Sequence, residues 1–543
     1  MKTHRETADG WIAILPPARR LFVPPCRARV DSARGHPLAV PQCTERLSNC
    51  LVVSETIKAM SRKIHPSLLH PRADHVCPAT AHPPLFLSRS SPTCPAPPQG
   101  TMQPHRAASR STEKVQSEAV LTPGRHMRSL HKAVLMLLLV VGAASAQTCP
   151  PWDLRGGDTI DGAHSIATSS PLVSTLVHQS VALSANGNIV AVGEPGFNSN
   201  QGRVRVYNWT GSVWSQLGTD INGASGSYAG ASVSLSDDGS IVAMGAPVFG
   251  AGSIVGRVSV IVWNSTLQDW QPIVGGDIDG TSFGGAAGYS VSLSGDGSML
   301  AVGSAGVIVP QRGSTTIYNY TGSGWVAVGT AIYFSVSDSD QVGTSVSLSN
   351  GGDIVAVGAP ACISPNNAFG SAGCARVFKY NATIDDWEVR GSSIDAEGAN
   401  HRTGTSVSLS SDGSVVAVSS PGYDNDKGRV RVYRFVSNTD WELISGSAIN
   451  GGAQGDLAGL SVSLSADGNA VAIGSPGSIS STGRSVVYVL TGGSTWVAGE
   501  NVDGDSTGDK EGTFVALSDD GSTLAVAAPN NTIAQVGAGY TRV

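Results

Sequence analysis

Hydrophobic and polar residues follow one fixed order in short segments from residue 180 to the end of the chain, most clearly in the second repeat. Ser232–Ser236 alternates polar and apolar residues with a period of two, which predicts a strand. Asp238-Gly239 predicts a tight hairpin turn, because these residue types tolerate positive φ angles. Ile241–Gly245 is a small apolar run that favours a strand buried on both faces. Arg257–Ile261 alternates again, and Trp270 opens a fourth strand.

This order of strands and turn returns seven times, and the repeat region has no helical periodicity. The turn glycines are 52 to 61 residues apart and lie at Gly187, Gly239, Gly297, Gly352, Gly413, Gly468 and Gly521. A strand-rich unit of roughly this length, repeated several times, is typical of a β-propeller, whose blades have four antiparallel strands each. We therefore predict an all-β, seven-bladed β-propeller.

The two ends of the repeat region complement each other. Six repeats have a tryptophan after their third strand, but the seventh ends at Tyr540–Val543, within its third strand. The missing piece resembles a segment near the start of the region, since Trp152–Gly162 matches Trp214–Gly223. We predict that the N-terminal strand completes the last blade, which would tie both ends of the region into one sheet and remove a free edge.

Charge divides the chain into two parts. Residues 1–146 have 19 Lys and Arg against 8 Asp and Glu, whereas residues 147–543 have 16 against 33. The segment 1–126 is rich in Pro, Arg and Ser without sustained periodicity, so we expect it to be disordered or not part of the native protein. Because it has no interleaved aromatic residues, we expect no nucleic-acid partner.

Residues 127–146 have the parts of a signal peptide. A basic start follows Met127, Ala133–Gly142 is apolar, and Ala144–Ala146 is a small-residue cleavage site. The apolar core is too short to span a membrane, and we predict no membrane span elsewhere. We therefore predict translation from Met127 and a secreted or cell-surface protein of residues 147–543. The alternative is a genuine N-terminal extension.

Three cysteines remain in the region 147–543. Cys362 and Cys374 lie in the loop of the fourth repeat, where a disulfide would stabilise the protein by about 3 kcal/mol in the chain-entropy model. Two free thiols are the alternative. Cys149 is left over, either free or intermolecular, and we otherwise expect a monomer.

Glycosylation sequons recur at one place in consecutive repeats. Asparagine alone is a common turn former, but the repeated Thr two residues later favours N-glycosylation. Four sequons lie between third and fourth strands and a fifth lies in another loop, at Asn208, Asn264, Asn319, Asn381 and Asn530.

The first strand and the triplet downstream of it resemble the FG-GAP repeat, the blade unit of the integrin α-subunit propeller and of many secreted repeat proteins. The residues that carry the resemblance include Gly230-x-Ser232-Val233 with Gly245-Ala246-Pro247. It covers essentially all of 147–543 and implies adhesion or ligand binding by loops on a propeller face. The aromatic residue that precedes the first glycine in that family is mostly replaced, at Ala229, Ala287, Val342, Thr403, Ala458 and Glu511.

The resemblance also implies calcium sites in a long acidic loop between the first two strands, and this chain departs from it there. The connection is a short hairpin, which cannot supply the six to eight oxygens that Ca²⁺ requires. We therefore expect no metal cofactor. The remaining weak cation candidates are acidic residues in other loops, namely Asp424, Asp426, Asp503 and Asp505.

The repeats place no nucleophile, acid and base at a recognisable spacing, so we expect a binding protein and not an enzyme. The expected partner is an extracellular protein or a glycan. The alternatives are a lectin and a secreted propeller enzyme such as a glycoside hydrolase. We expect the partner to contact the loops between second and third strands, which vary most in length. The candidate residues there are Asn198, Phe249, Phe369 and Tyr423.

Arginines recur in the third strands, including Arg203, Arg205, Arg429 and Arg431. They could form an anion-binding row across two blades. The alternative is that they pair with acidic neighbours.

Overall fold

The computed structural model describes residues 154–155, 159–161, 180–250, 254–308, 312–333, 340–363, 372–436, 440–530 and 539–543. Their strands form seven antiparallel sheets, each built on a path of four neighbouring strands. The first strand of each sheet contacts the first strands of both neighbouring sheets, and the seventh contacts the first. The chain is therefore a seven-bladed β-propeller, as the repeats predict.

Each of the first six blades takes its four strands from consecutive chain segments. Blades 1 to 3 comprise Val181–Leu183, Ile189–Glu194, Arg203–Trp209 and Trp214–Gln216; Ser232–Leu235, Ile241–Ala246, Arg257–Asn264 and Asp269–Asp279; and Ala287–Leu293, Met299–Ser304, Ser314–Tyr320 and Trp325–Ala327. Blades 4 to 6 comprise Ser345–Leu348, Ile354–Ala359, Cys374–Asn381 and Asp386–Val389; Val407–Leu409, Val415–Ser420, Arg429–Val436 and Asp440–Leu443; and Ser461–Leu464, Ala470–Ser475, Arg484–Thr491 and Thr495–Asp503.

Some shorter elements complete these blades. After the fourth strand of blades 1, 4 and 5, two further residues pair again with the third strand, at Ile221–Asn222, Ile394–Asp395 and Ile449–Asn450. The helical segments in the described part are single turns at Phe197–Asn200, Tyr423–Asp426 and Ser478–Ser481. None of these turns has the length or the apolar character of a membrane-crossing helix.

Blade 7 is completed by the N-terminal strand. Its own three strands are Phe514–Leu517, Leu524–Ala528 and Tyr540–Arg542, and the fourth is Ile160–Asp161. In the pairing, Ile160 lies opposite Thr541. The predicted closure is confirmed. Trp152, Cys149 and the segments 1–126 and 127–146 lie outside the described residues.

A closed ring of seven backbone hydrogen bonds joins the hairpins between first and second strands. In each blade, the residue two positions before the turn glycine donates its N–H to the carbonyl oxygen of the corresponding residue in the next blade, over 2.8–3.1 Å. The seventh residue donates to the first. The ring consists of Ala185, Asp237, Gly295, Asn350, Ser411, Ala466 and Asp519. Every blade is thereby tied to both neighbours through groups that any residue other than proline provides.

The repeated serines and glycines also join each blade to the next. The Ser232 hydroxyl donates to the Gly288 carbonyl over 2.9 Å, and the Ser234 hydroxyl accepts from the Leu293 N–H over 3.0 Å. A Cβ atom at Gly245 would lie 2.1 Å from the Gly288 carbonyl oxygen, so only glycine fits there. The Gly-x-Ser-Val sequence therefore provides contacts that join adjacent blades.

The hydrophobic core is divided among the junctions. Seven clusters of buried apolar side chains each combine residues from two adjacent blades. At the junction of blades 3 and 4, for example, Ile317 packs in one cluster with Val346 and Val355. Burial of apolar surface therefore drives the blades to associate with each other as well as to fold.

The outer tryptophans differ in how they contact the preceding blade. Three of them follow an aspartate and donate the indole N–H to a carbonyl of the preceding blade over 2.7–2.9 Å, namely Trp270, Trp387 and Trp441. The aspartates accept backbone N–H groups of the same preceding blade, from Thr219, Thr330 and Ser392. Three other tryptophans follow Val213, Gly324 or Thr495, and in the described part their buried indole nitrogens have no partner.

Replacing Trp387 with phenylalanine is expected to lower the free energy of unfolding by about 1 kcal/mol, because the hydrogen bond to the Val328 carbonyl is lost. The matched control is Trp325→Phe, which removes an indole N–H that has no partner within the described residues. Chemical denaturation of both variants measures the difference. Equal losses would show that ring size, and not the hydrogen bond, determines the effect.

Candidate ligand-binding face

The ring has two faces that carry different connections. The hairpin face carries the turns between first and second strands and between third and fourth strands. The loop face carries the loops between second and third strands and the connections from each fourth strand to the next blade. Because strands alternate in direction within a blade, these two sets of connections emerge on opposite sides.

The sequons fall on both faces. The ends of the third strands place Asn208, Asn264, Asn319 and Asn381 at the hairpin face. The Asn264 and Asn381 side-chain oxygens accept the N–H groups of Thr266 and Thr383, so both residues also shape their turns. Asn530 is exposed and follows the second strand of blade 7, which places it at the loop face. Their glycosylation stays a prediction.

Hydrogen-bonding groups at the hairpins are used within the turns. The Asp296 carboxylate accepts the Ser298 N–H over 2.9 Å and the Ser294 hydroxyl over 2.7 Å. The hydrogen bond from the Ser298 N–H is the largest of the effects that lower the pKa of Asp296. Corresponding aspartates form the same turn in four other blades, at Asp238, Asp412, Asp467 and Asp520.

Three loops of the loop face adopt a strained conformation. Three consecutive residues in each have φ angles between 47° and 66°, at Asn198–Asn200, Asp424–Asp426 and Ile479–Ser481. Asparagine and aspartate tolerate this left-handed region, but a β-branched residue there is a marked outlier. Ile479 is such a residue, with a φ of 52° and half of its side chain exposed. Strain of this kind clusters at functional sites.

The structure brings three of the four predicted binding residues to the loop face, but two of them pack against arginine side chains. The Phe249 ring lies 4.0 Å from the Arg257 guanidinium. The Tyr423 ring lies 3.6 Å from the Arg429 guanidinium, and its hydroxyl accepts a hydrogen bond from that residue. The Asn198 amide donates to the Gln201 side chain over 2.6 Å. Phe369 lies outside the described residues.

The third-strand arginines pair with acidic side chains, so the second of the two interpretations of the sequence is correct. Arg203 contacts Glu194 at 2.8 Å within blade 1. Between blades 4 and 5, Glu397 contacts Arg429 at 2.5 Å and Arg431 at 3.5 Å. These ion pairs lie on the loop face, either within one blade or between two neighbouring blades.

The cation candidates are mostly held by the same kind of pair. Asp426 contacts Arg402, Asp503 contacts Arg484, and Asp505 contacts Arg542. Asp424 is exposed in its left-handed turn. Among the residues that the structure describes, no three His, Cys, Asp or Glu side chains come together as a metal-binding group.

The predicted disulfide is present. Cys362 and Cys374 are bonded, with Cα atoms 5.8 Å apart, and both residues are buried. The bond joins the two ends of the loop between the second and third strands of blade 4. It therefore anchors the base of one loop on the loop face.

A cavity of about 320 Å³ opens on the loop face between blades 2 and 3. Its lining is rich in hydroxyl groups and includes an exposed aromatic ring, from Asp279, Thr281, Ser282, Ser304, Arg312, Ser314, Thr316, Tyr318 and Tyr333. A smaller cavity of about 180 Å³ lies between blades 5 and 6. Sequence reasoning did not identify either. The available signal was the absence of arginine from the third-strand position of Arg431, which Thr316 occupies in blade 3 and Val486 in blade 6.

The central channel differs from these cavities. It has a volume of about 330 Å³ and is lined by the first strands of all seven blades. Its serine hydroxyls are used between blades, since Ser180, Ser290 and Ser345 donate to glycine carbonyls of the next blade at 2.8–2.9 Å. These hydroxyl groups of the channel therefore join neighbouring blades.

A buried carboxyl group lies between blades 6 and 7. Glu511 is fully buried, accepts the Tyr540 hydroxyl and lies 3.6 Å from Arg542, while its Oε1 has no partner in the described part. Burial raises the pKa of Glu511 to about 7. The sequence contained the signal, because the other repeats have Ala, Val or Thr at this position.

No protein-family model matches the chain, and no curated protein matches it. A solved structure described as Kuenenia stuttgartiensis Hydrazine Synthase is similar to the chain, with 12% sequence identity and a TM-score of 0.42. The similarity covers 70% of this chain and 95% of the other. At this level it adds nothing to the description of the site.

Proposed function

We propose that this chain is a secreted, non-catalytic binding protein of the FG-GAP type, which holds an extracellular protein or glycan on the loop face of its propeller. The observation that carries the proposal is that polar groups have different roles in different parts of the ring. Hairpin and channel groups hold turns and blades together, as Asp296 and Ser232 do. The loop face has strained loops and, in the described part, a cavity with four hydroxyls that make no intramolecular hydrogen bond, those of Thr281, Ser282, Ser304 and Ser314.

Two features support secretion. The segment 127–146 has the pattern of a signal peptide, and the Cys362–Cys374 disulfide suits an oxidising compartment. When the full chain is expressed in a secretory cell line, we expect the protein in the medium to begin at Gln147. A protein that stays inside the cells would contradict this part of the proposal.

The choice of face is testable by placing a new glycan on each side of the ring. Ile479→Asn completes an Asn-x-Ser sequon with Ser481 on the loop face, where asparagine tolerates the φ of 52°. Val213→Asn completes one with Ser215 on the hairpin face. The two original side chains are about equally exposed, at 50% and 51%. We expect the loop-face glycan to abolish partner binding and the hairpin-face glycan to leave it unchanged.

The measurement starts from the secreted protein, applied to a glycan array and to extracellular proteins on cell surfaces. The strongest partner is then titrated with both variants, after mass spectrometry has shown that each carries its new glycan. Binding that survives the glycan at position 479 but not the one at position 213 would place the partner on the hairpin face. Binding insensitive to both glycans would exclude a partner that covers the loop face around blade 6, which contains position 479.

A further inference from the structure

We propose that the cavity between blades 2 and 3 is a carbohydrate-binding site that holds one neutral sugar unit of a glycan, an inference that rests on the proposed binding function. The cavity lies at a junction that lacks an ion pair found at two other junctions. Between blades 6 and 7, Arg542 of the third strand meets Asp505, which follows the outer strand of the preceding blade. Between blades 4 and 5, Arg431 and Glu397 occupy the same places.

Both members of this pair are replaced at the junction of blades 2 and 3. The strand register places Thr316 opposite Val302, as Arg431 lies opposite Val418 in blade 5. On the other side, Thr281 stands three residues after Ile278, as Glu397 stands three residues after Ile394. Two short hydroxyl side chains therefore replace a long ion pair, and the space that they leave is the cavity.

The lining offers hydrogen bonds that the protein does not use. Within the described residues, the hydroxyls of Thr281, Ser282, Ser304 and Ser314 make no intramolecular hydrogen bond. The Asp279 carboxylate is held by two hydrogen bonds from Arg257, which leaves lone pairs on both oxygens. Hydroxyl donors and acceptors around a fixed carboxylate match the alternating hydroxyl groups of a sugar.

Tyr333 supplies the apolar part of the site. Tyr333 lines the cavity and is 60% exposed, and a tyrosine side chain combines a flat apolar surface with a polar end. Such a surface packs against the C–H groups on one side of a pyranose ring. The volume of about 320 Å³ is at the lower end of the range of about 300–1,000 Å³ for small-molecule sites, which suits a single sugar unit.

The cavity between blades 5 and 6 is a less suitable site. It is smaller, at about 180 Å³, and the position that corresponds to Thr316 is the apolar Val486. Arg484 in that cavity is paired with Asp503. The hydroxyl-rich lining with an exposed tyrosine is therefore specific to the junction of blades 2 and 3 among the described cavities.

The test rebuilds the missing ion pair. In the full secreted protein, Thr281→Glu together with Thr316→Arg introduces the two side chain types that form the ion pair between blades 4 and 5. We expect the double variant to keep its melting temperature and to lose binding to a panel of glucose, galactose, mannose and N-acetylglucosamine, measured by saturation-transfer NMR and on a glycan array. Tyr333→Ala should weaken the same binding about tenfold, and Tyr333→Phe should keep most of it.

Phe283→Ala is the matched control, since Phe283 is also exposed on this face, at 57%, but does not line the cavity. Absence of binding to every panel sugar, or binding unchanged in both the double variant and Tyr333→Ala, would overturn the proposal. If the double variant is unstable, the comparison of sugar binding by Tyr333→Ala and by Phe283→Ala decides whether the cavity is the site. A partner that the glycan at position 479 blocks, but the cavity variants do not affect, would refute the sugar site and leave the loop face as the binding surface.

Discussion

Removal of residues 147–165 is expected to lower the free energy of unfolding by several kcal/mol, the largest effect that the structure predicts. The deletion removes Ile160, which is 8% exposed and packs at the junction of blades 7 and 1. Loss of a buried isoleucine side chain alone costs about 2–5 kcal/mol. The deletion also removes the pairing with Thr541 and leaves the third strand of blade 7 as an open edge.

Chemical denaturation of the secreted chain with and without this segment measures the loss. A synthetic peptide of residues 147–165, added to the truncated chain, is expected to restore part of the stability, because it can supply the missing strand. Deletion of residues 1–126 alone is the control and should leave the unfolding curve unchanged. A truncated chain that melts within a degree or two of the complete one would show that the N-terminal strand does not hold the ring closed.

Glu511 is expected to make the protein more stable at pH 5 than at pH 8. Burial raises the pKa of Glu511 from 4.5 to about 7. Between these two values the folded protein holds a proton that the unfolded chain releases, so stability increases as the pH falls. The contribution is fully present below pH 4.5 and is lost as the pH rises through about 7, and it amounts to about 3 kcal/mol.

The Glu511→Gln variant isolates this contribution, because its side chain does not titrate. We expect the variant to be more stable than the wild type at pH 8 and to lose that advantage at pH 5, as measured by urea denaturation at both values. Glu388→Gln, at an exposed position of blade 4, should follow the wild type at both pH values. A constant difference between Glu511→Gln and the wild type across this range would mean that Glu511 stays ionised in the folded protein.

Prediction from sequence succeeded where the cause is local or repeated. Asp-Gly turns form because of the residues within them, as the hydrogen bonds around Asp296 illustrate. The match between Trp152–Gly162 and Trp214–Gly223 was enough to predict the closing strand, since equivalent sequence segments fill equivalent places in a ring. The Cys362–Cys374 disulfide required only two cysteines in one loop.

Prediction was less complete for side chains whose partners lie on another strand or in another blade. Phe249 and Tyr423 were placed correctly on the loop face, but the sequence did not indicate that each lies against an arginine. The acidic residues that pair with the arginines also come from another strand or another blade. Arg429 and its partner Glu397, for example, are 32 residues apart. Such pairings depend on which side chains adjacent strands and blades bring together, and the spacing of residues along the sequence does not show this.

The sequence by itself determined the number of blades, the order of their strands, the hairpins and the closure, because hydrophobic period and turn chemistry act over a few residues and are repeated seven times. Only the tertiary structure decided which contacts join the blades and which junction leaves a cavity. The ring of backbone hydrogen bonds uses groups that nearly every residue carries, so no residue pattern marks it. The cavity between blades 2 and 3 arises from two replacements 35 residues apart, Thr281 and Thr316, whose joint effect exists only once the blades stand side by side.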